Sequence, residues 1–309
     1  MRLEGHAPAK LNLTLEVLGR RPDGYHEVAT ILHTLSLCDT LVLELPDHPA
    51  LVPARGSLTV VDALVSPSGG APLADVPSDA RNLVWKAVEA FANALSLPPN
   101  DDAWRATLVK RIPTQAGLGG GSSDAATALR LLGAWARAVG INTSDLTALA
   151  GTLGADVAFF LNGACALACG KGEQLTPLPA LPQFWWVLAK PYEVGVPTAW
   201  AYTLLNREPL RPNTPAPYTQ RLADALQQGR IRTPEDLAPL LHNDFEQPVL
   251  STIPALQMLR QRMQAHGVLR VLLCGSGAAQ AGLCTSQTHA EQLAHTLAQH
   301  GYWAVAVST

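Results

Sequence analysis

Four glycines within five positions constrain this chain more than any other stretch. Residues Pro113 to Leu129 read PTQAGLGGGSSDAATAL, with glycine at 117, 119, 120 and 121. The β-branched and aliphatic run Ala106 to Ile112 leads in and predicts a strand. Two serines, an aspartate and an Ala/Leu pattern (Ala125, Ala128, Leu129, Leu132) follow and predict a helix. Strand, glycine loop and helix start, in that order, make an anion site. Glycine lets the backbone come close and turn its N–H groups inward, and the first helical turn adds unpaired N–H groups and a positive dipole end. Ser122 or Ser123 reads as the N-cap of that helix. A flexible linker is the plain alternative, but linkers seldom lie between a strand pattern and a capped helix.

At 309 residues the chain is long enough for two domains and a sizeable core. With 48% hydrophobic and 15% charged residues it reads as folded, not disordered. A net charge of −3 without a basic cluster excludes a nucleic-acid footprint. No apolar run approaches the ~20 residues of a membrane span. The first ten residues include Pro8 and Lys10 and no apolar segment, so no signal peptide is expected and the chain is placed in the cytoplasm. The five cysteines form no metal-ligand spacing and have apolar neighbours, as reduced buried thiols do.

Residues Lys10 to Leu18 alternate, with Leu11, Leu13, Leu15 and Val17 on one side and Lys10, Asn12, Thr14 and Glu16 on the other. This pattern predicts a half-buried strand with a polar outer face, on which Lys10 alone reads as a snorkelling surface lysine. A Pro-Asp-Gly turn precedes Tyr25 and His26, which start a strand-like run through Leu37; a further strand is expected at Thr40 to Leu45. Ser78 is the expected cap of a helix over Arg81 to Leu95. Asp156 stands just before the bulky apolar run Val157 to Leu161, and on its own reads as a helix cap. Beyond Gly170 prolines and tryptophans accumulate, and two strand–helix pairs near the end suggest a ferredoxin-like sandwich.

Three phosphate loops compete for the glycine run. A Walker A loop needs Lys-Ser/Thr after its last glycine, whereas Gly121 is followed by Ser122-Ser123-Asp124. A dinucleotide fingerprint started at Gly117 puts Ser122 where its third glycine belongs. The pattern Pro-x-x-x-Gly-Leu-Gly-(Gly)-Ser-Ser-x-Ala-Ala is matched throughout Pro113 to Ala126, and in this the chain resembles the GHMP kinase superfamily of small-molecule kinases. Leu273-Cys-Gly-Ser-Gly-Ala278 is similar to that superfamily's C-terminal glycine motif, although it continues Ala279-Gln-Ala-Gly-Leu-Cys284 in place of a Cys-Val-Phe-like strand. Pro8-Ala-Lys-Leu-Asn-Leu13, Gly19-Arg-Arg-Pro-Asp-Gly-Tyr-His26 and Thr152-Leu-Gly-Ala-Asp-Val157 resemble the branch that phosphorylates the 2-hydroxyl of 4-diphosphocytidyl-2-C-methyl-D-erythritol, a step of non-mevalonate isoprenoid synthesis.

The resemblance implies an α+β, two-domain GHMP kinase-like fold. A ribosomal-S5-like ATP domain would cover residues 1–170 and a ferredoxin-like α/β sandwich residues 171–309, the last strand being a candidate to return to the first domain. It further implies Lys10 and Asp156 as the catalytic pair. Pro113, Thr114, Gln115, Ala116, Gly117, Leu118, Gly119, Gly120, Gly121, Ser122 and Ser123 would hold the triphosphate, with Asn82 and Lys110 near the adenine or ribose. Asn12, Tyr25, His26, Thr198 and Tyr202 would bind the second substrate, His26 reading the cytosine edge between the rings of Tyr25 and Tyr202. ATP and Mg2+ are the implied cofactors, the ion held by triphosphate, water and a loop serine with no dedicated protein metal site. The implied partners are ATP and the cytidine-diphosphate-linked methylerythritol, with neither nucleic acid nor membrane, for a monomer or weak homodimer. Another alcohol kinase of homoserine or mevalonate type, or a non-catalytic nucleotide-binding protein, stands as the alternative.

Overall fold

The computed structural model describes residues 1–47, 56–64, 76–95, 104–143, 145–205 and 214–309. Strands β1 (Arg2–Arg20) and β2 (His26–Glu44) form one long antiparallel hairpin. β2 joins the two strands expected over 25–37 and 40–45, because its ladder runs on through Cys38 and Asp39, opposite Pro8 and Ala7. Register shifts between Pro8 and Lys10 and between Asn12 and Thr14 bulge the hairpin where Lys10 and Asn12 sit. Bulges re-aim side chains, which suits a site built on this strand.

Next come β3 (Gly56–Asp62), α1 (Leu83–Ala94) and β4 (Trp104–Lys110), with β3 and β4 parallel. α1 buries Val84, Ala87, Val88 and Phe91, as its spacing predicts, but its cap is Asn82 and not Ser78: Val84 N–H donates to Asn82 Oδ1 at 2.8 Å. After β4 the chain enters α2 (Gly120–Ala138), α3 (Leu146–Leu153) and α4 (Ala155–Asn162), then β5 (Cys165–Cys169) and β6 (Gln174–Pro177). The helices share one core with the sheet, built on Leu41, Phe91, Trp104, Leu129, Trp135 and Phe160. Each such side chain stabilises the fold by about 1.5–3 kcal/mol when fully buried.

The remaining elements are β7 (Trp185–Pro191), α5 (Thr198–Leu205), α6 (Pro217–Gln227), α7 (Pro234–Leu237), β8 (His242–Asn243), α8 (Glu246–Thr252), α9 (Pro254–Ala265), β9 (Arg270–Leu273), β10 (Gln280–Cys284), α10 (Gln287–Gln299) and β11 (Tyr302–Ser308). The first sheet runs β3-β4-β2-β1-β8, with β5 on β2 and β6 on β5. The second runs β11-β7-β10-β9, antiparallel throughout. Strand, helices, two strands, helix, strand in chain order, with the strands laid side by side as β11-β7-β10-β9, is the ferredoxin-like arrangement, and the whole is the GHMP kinase fold. The last strand does not return to the first sheet; it pairs with β7. β6 and β8, both beyond residue 170, do belong to the first sheet. No helix among the described residues is long and apolar enough to cross a membrane.

The polar face of β1 is not a surface. Lys10, Asn12, Thr14 and Glu16 are all 5% exposed or less. α6 covers Thr14 and Glu16: Thr219 Oγ1 donates to Thr14 Oγ1 at 3.0 Å, and Thr219 N–H to Glu16 at 2.7 Å. Buried polar groups persist when paired in this way, and the pairing partners lie some two hundred residues down the chain.

Lys190 on β7 is a buried ammonium of another kind. It is 3% exposed and, among the described residues, donates to the carbonyls of Pro191 and Tyr192, at 3.2 and 3.4 Å. Burial pulls its pKa down to about 8. The folded form therefore gives up the proton before the unfolded form does; the group's contribution to stability is complete above about 10.5 and is lost as pH falls through about 8. Lys190→Met is expected to raise stability at pH 7 by about 1–3 kcal/mol. Urea unfolding at pH 7 and pH 10 checks this, because the gain must shrink at the higher pH.

Candidate active site

The glycine loop leaves β4 at Lys110 and re-enters structure at Gly120. Gly117 and Gly119 adopt φ of +75° and +72°, where a side chain is strained. Space also forbids one: a Cβ on Gly117 would stand 1.7 Å from the Cys274 carbonyl oxygen, and one on Gly119 3.0 Å from Lys10 Cγ. Three backbone bonds fix the loop. Lys10 N–H donates to Leu118 O at 3.0 Å, Ala278 N–H to Gln115 O at 3.0 Å, and Ala279 N–H to Ala116 O at 3.2 Å. The first sheet and the C-terminal glycine segment thus grip the loop from two sides.

Neither Ser122 nor Ser123 caps α2. Gly119 holds the cap position and makes no side-chain cap bond. A capped start would place a protein oxygen on N–H groups that this start leaves open to an anion. Pro113 through Ser122 all line one cavity of about 410 Å3. Ser123 lies behind it, fully buried, its Oγ without a hydrogen-bond partner among the described residues.

Asn82 and Lys110 occupy different places from each other. Asn82 is committed to structure, its Oδ1 capping α1 and its Nδ2 donating to Pro77 O at 2.8 Å; its neighbour Leu83, not Asn82, is on the cavity wall. Lys110 is on the wall, but its Nζ donates to Asp39 and, at 2.7 Å, to Asp124. Burial drives the Asp124 carboxyl up to about 7, with Lys110 opposing and the Asp39 charge reinforcing the shift.

Lys10 and Asn12 meet on the same wall, Lys10 Nζ donating to Asn12 Oδ1 at 2.5 Å and Asn12 Nδ2 to Thr30 Oγ1 at 2.8 Å. Lys10 is a buried side chain in the cavity and not a surface lysine. Asp156 is the second residue of α4, whose cap is Gly154. The aspartate is therefore free of capping duty and faces the cavity that holds Lys10.

A second cavity of about 820 Å3 adjoins the first, and Ser122, Asp156, Lys171, Thr198 and Tyr202 line both. Tyr25 and His26 lie in the second. The expected Tyr25–Tyr202 sandwich is not assembled. His26 itself stacks on Tyr202, ring centroids 4.6 Å apart and planes 24° apart, while Tyr25 is 60% exposed. The reason is local: the turn before β2 sends Tyr25 outward, and strand alternation turns His26 inward. Burial, then the Arg20 charge, lowers the His26 pKa, which favours a neutral ring able to donate and accept. Burial, then the charge of Asp156, pushes the Tyr202 hydroxyl up to about 12.

Sequence reasoning missed Lys171. Its Nζ stands 4.3 Å from the Tyr25 ring centroid and 3.4 Å from Asp23 Oδ2, at the join of the two cavities. A lysine flanked by Gly170 and Gly172 between two strands was the available signal. Asn243 was missed as well; its Nδ2 donates to Leu273 O and Gly275 O at 2.8 and 2.7 Å and so places the C-terminal glycine segment. Within that segment Ser276 Oγ lies 3.2 Å from Thr198 Oγ1.

Residues 82–164 match the GHMP kinases N terminal domain and residues 222–302 the GHMP kinases C terminal family. The 4-diphosphocytidyl-2-C-methyl-D-erythritol kinase of Gloeobacter violaceus is 38% identical over 94% of this chain and 89% of its own. A crystal structure of 4-(cytidine 5'-diphospho)-2C-methyl-D-erythritol kinase superposes with a TM-score of 0.73 at 36% identity, covering 99% of this chain and 98% of that one. Homoserine kinase from Cytophaga hutchinsonii shares the fold alone, with a TM-score of 0.65 at 17% identity over 100% of this chain and 94% of its own. With both domains matched in order and that identity spanning nearly its whole length, the chain belongs to the 4-diphosphocytidyl-2-C-methyl-D-erythritol kinase family of GHMP kinases.

Proposed function

We propose that this chain transfers the γ-phosphoryl group of ATP to the 2-hydroxyl of 4-diphosphocytidyl-2-C-methyl-D-erythritol, giving ADP and the 2-phosphate. One observation carries the reading: Asp156 stands where the glycine-loop cavity and the aromatic cavity meet. An acceptor bound through its base in the second cavity presents its alcohol to a phosphate in the first.

The residues present fit ATP. Pro113 through Ser122 line the first cavity, and the start of α2, where Gly119 brings no capping side chain, supplies N–H donors to phosphate oxygens. Phosphoryl transfer passes through a loose transition state, so the chain's work is positioning and charge stabilisation. Lys10 and Asn12 orient the hydroxyl. Asp156 accepts its proton late, since a carboxylate is a weak base towards an alcohol. Magnesium bound with ATP would supply positive charge against the phosphates, and Ser122, a hydroxyl on the cavity wall at the start of α2, would join its shell. A cytoplasmic setting suits five cysteines that form no disulfide.

Release of ADP from ATP tests the reading, with the cytidyl alcohol, homoserine and mevalonate compared as acceptors. Turnover is expected with the cytidyl alcohol alone; turnover with either of the others and none with it would sink the proposal. Tyr202→Ala should raise KM for the cytidyl substrate by about 10-fold, because the ring that His26 stacks on, and with it the orientation of His26, is lost.

A further inference from the structure

We propose that Asp39 and Asp124 are positioning residues for phosphoryl transfer, acting through Lys110 to hold the glycine loop at the span a triphosphate needs. The proposal rests on the reading that this loop binds ATP.

The loop has two roots, one on β4 and one on α2, and a single buried ammonium is tied to both. Asp39, on β2, accepts from Lys110 Nζ and from the backbone N–H groups of Arg111 and Ile112, at 2.5 and 2.8 Å. These are the last two residues before Pro113. Asp124, in the first turns of α2, accepts from the same Nζ at 2.7 Å. All three side chains are buried, Asp39 at 0%, Lys110 at 2% and Asp124 at 2% exposure. The ammonium lies directly under Gly120, where a Cβ would come within 3.3 Å of it. Entry and exit of the loop are therefore fixed relative to each other by one cation shared between two carboxylates.

Stability alone does not explain the arrangement. Two acidic groups share one ammonium beside a site for a polyanion, and replacing buried ionic groups by apolar ones is commonly neutral or stabilising. What the arrangement does supply is direction. An ammonium has three N–H bonds, the carboxylates take two, and Lys110 is also on the cavity wall. The third is left for a nucleotide oxygen. Loss of either carboxylate frees the ammonium to turn and lets the two roots of the loop separate.

The test is ATP binding by calorimetry on the full chain, followed by steady-state kinetics, for wild type, Asp39→Asn, Asp124→Asn, Lys110→Met and Asp124→Asn combined with Lys110→Met. Either single aspartate variant is expected to weaken ATP binding about 10-fold, the scale of one charge-assisted hydrogen bond, with KM for the alcohol unchanged. The double variant is expected to bind ATP no worse than Lys110→Met alone, since the carboxylate acts only through the lysine. Unchanged ATP affinity in Asp124→Asn, or a parallel rise in both KM values, overturns the proposal. So does additivity in the double variant. If Asp39→Asn does not fold, the Asp124 and Lys110 variants decide alone. Failure of the wild type to bind ATP would instead reject the underlying functional reading.

Discussion

Asp156→Asn is expected to lower kcat by about 10²–10⁴-fold while both substrates still bind. Asparagine keeps the shape and one acceptor oxygen but cannot take the proton of the reacting alcohol. A loss confined to kcat marks an interaction made in the transition state and not in the ground state. Lys10→Ala should fall to a similar level for a different reason: the buried cation that donates to Asn12 and shares the cavity with Asp156 is gone. Single-turnover measurements at saturating substrate separate chemistry from release. Wild-type kcat in either variant, with the cytidyl substrate bound, removes that residue from the chemistry.

Gly117→Ala is expected to destabilise the protein by about 3 kcal/mol or more and to abolish ATP binding. The positive φ alone costs an L-residue roughly 1–2 kcal/mol. The larger effect is steric. The new methyl would lie 1.7 Å from Cys274 O and 2.6 Å from its carbonyl carbon, and neither is a side chain that can swing away. The loop and the segment 274–279 must part, which breaks the bonds from Ala278 to Gln115 and from Ala279 to Ala116. Gly121→Ala is the control. It sits in α2 with its nearest neighbour, Leu83 Cδ1, at 3.6 Å, so alanine there is expected to be neutral or stabilising by up to about 1 kcal/mol. Equal melting temperatures for the two variants would show that Gly117 is not packed against Cys274.

The strand, glycine loop and helix were legible because they are contiguous, and Lys10 and Asp156 stand in short recognisable contexts. Burial of the β1 polar face was not legible, since it depends on Thr219, far away in the chain. The same holds for Asn243, which belongs to a two-residue strand with no periodic signal. The helix cap misleads in the sequence because Ser78 and Asn82 are both ordinary cap residues, and only the bond from Val84 N–H to Asn82 Oδ1 tells which one serves. The aromatic pocket was half legible. Tyr25, His26 and Tyr202 were named, but which ring stacks on Tyr202 depends on strand alternation after a turn, and adjacent residues differ there by a whole face.

The bonds from Ala278 and Ala279 to the glycine loop bear on how the enzyme is made. A ribosome delivers Gln115 and Ala116 early and their partners only near the end of synthesis, and contacts of such long sequence separation form slowly. A nascent chain carrying the whole first sheet except β8 still has a loop open along one side. The grip on the loop is therefore completed only by the last tenth of the chain.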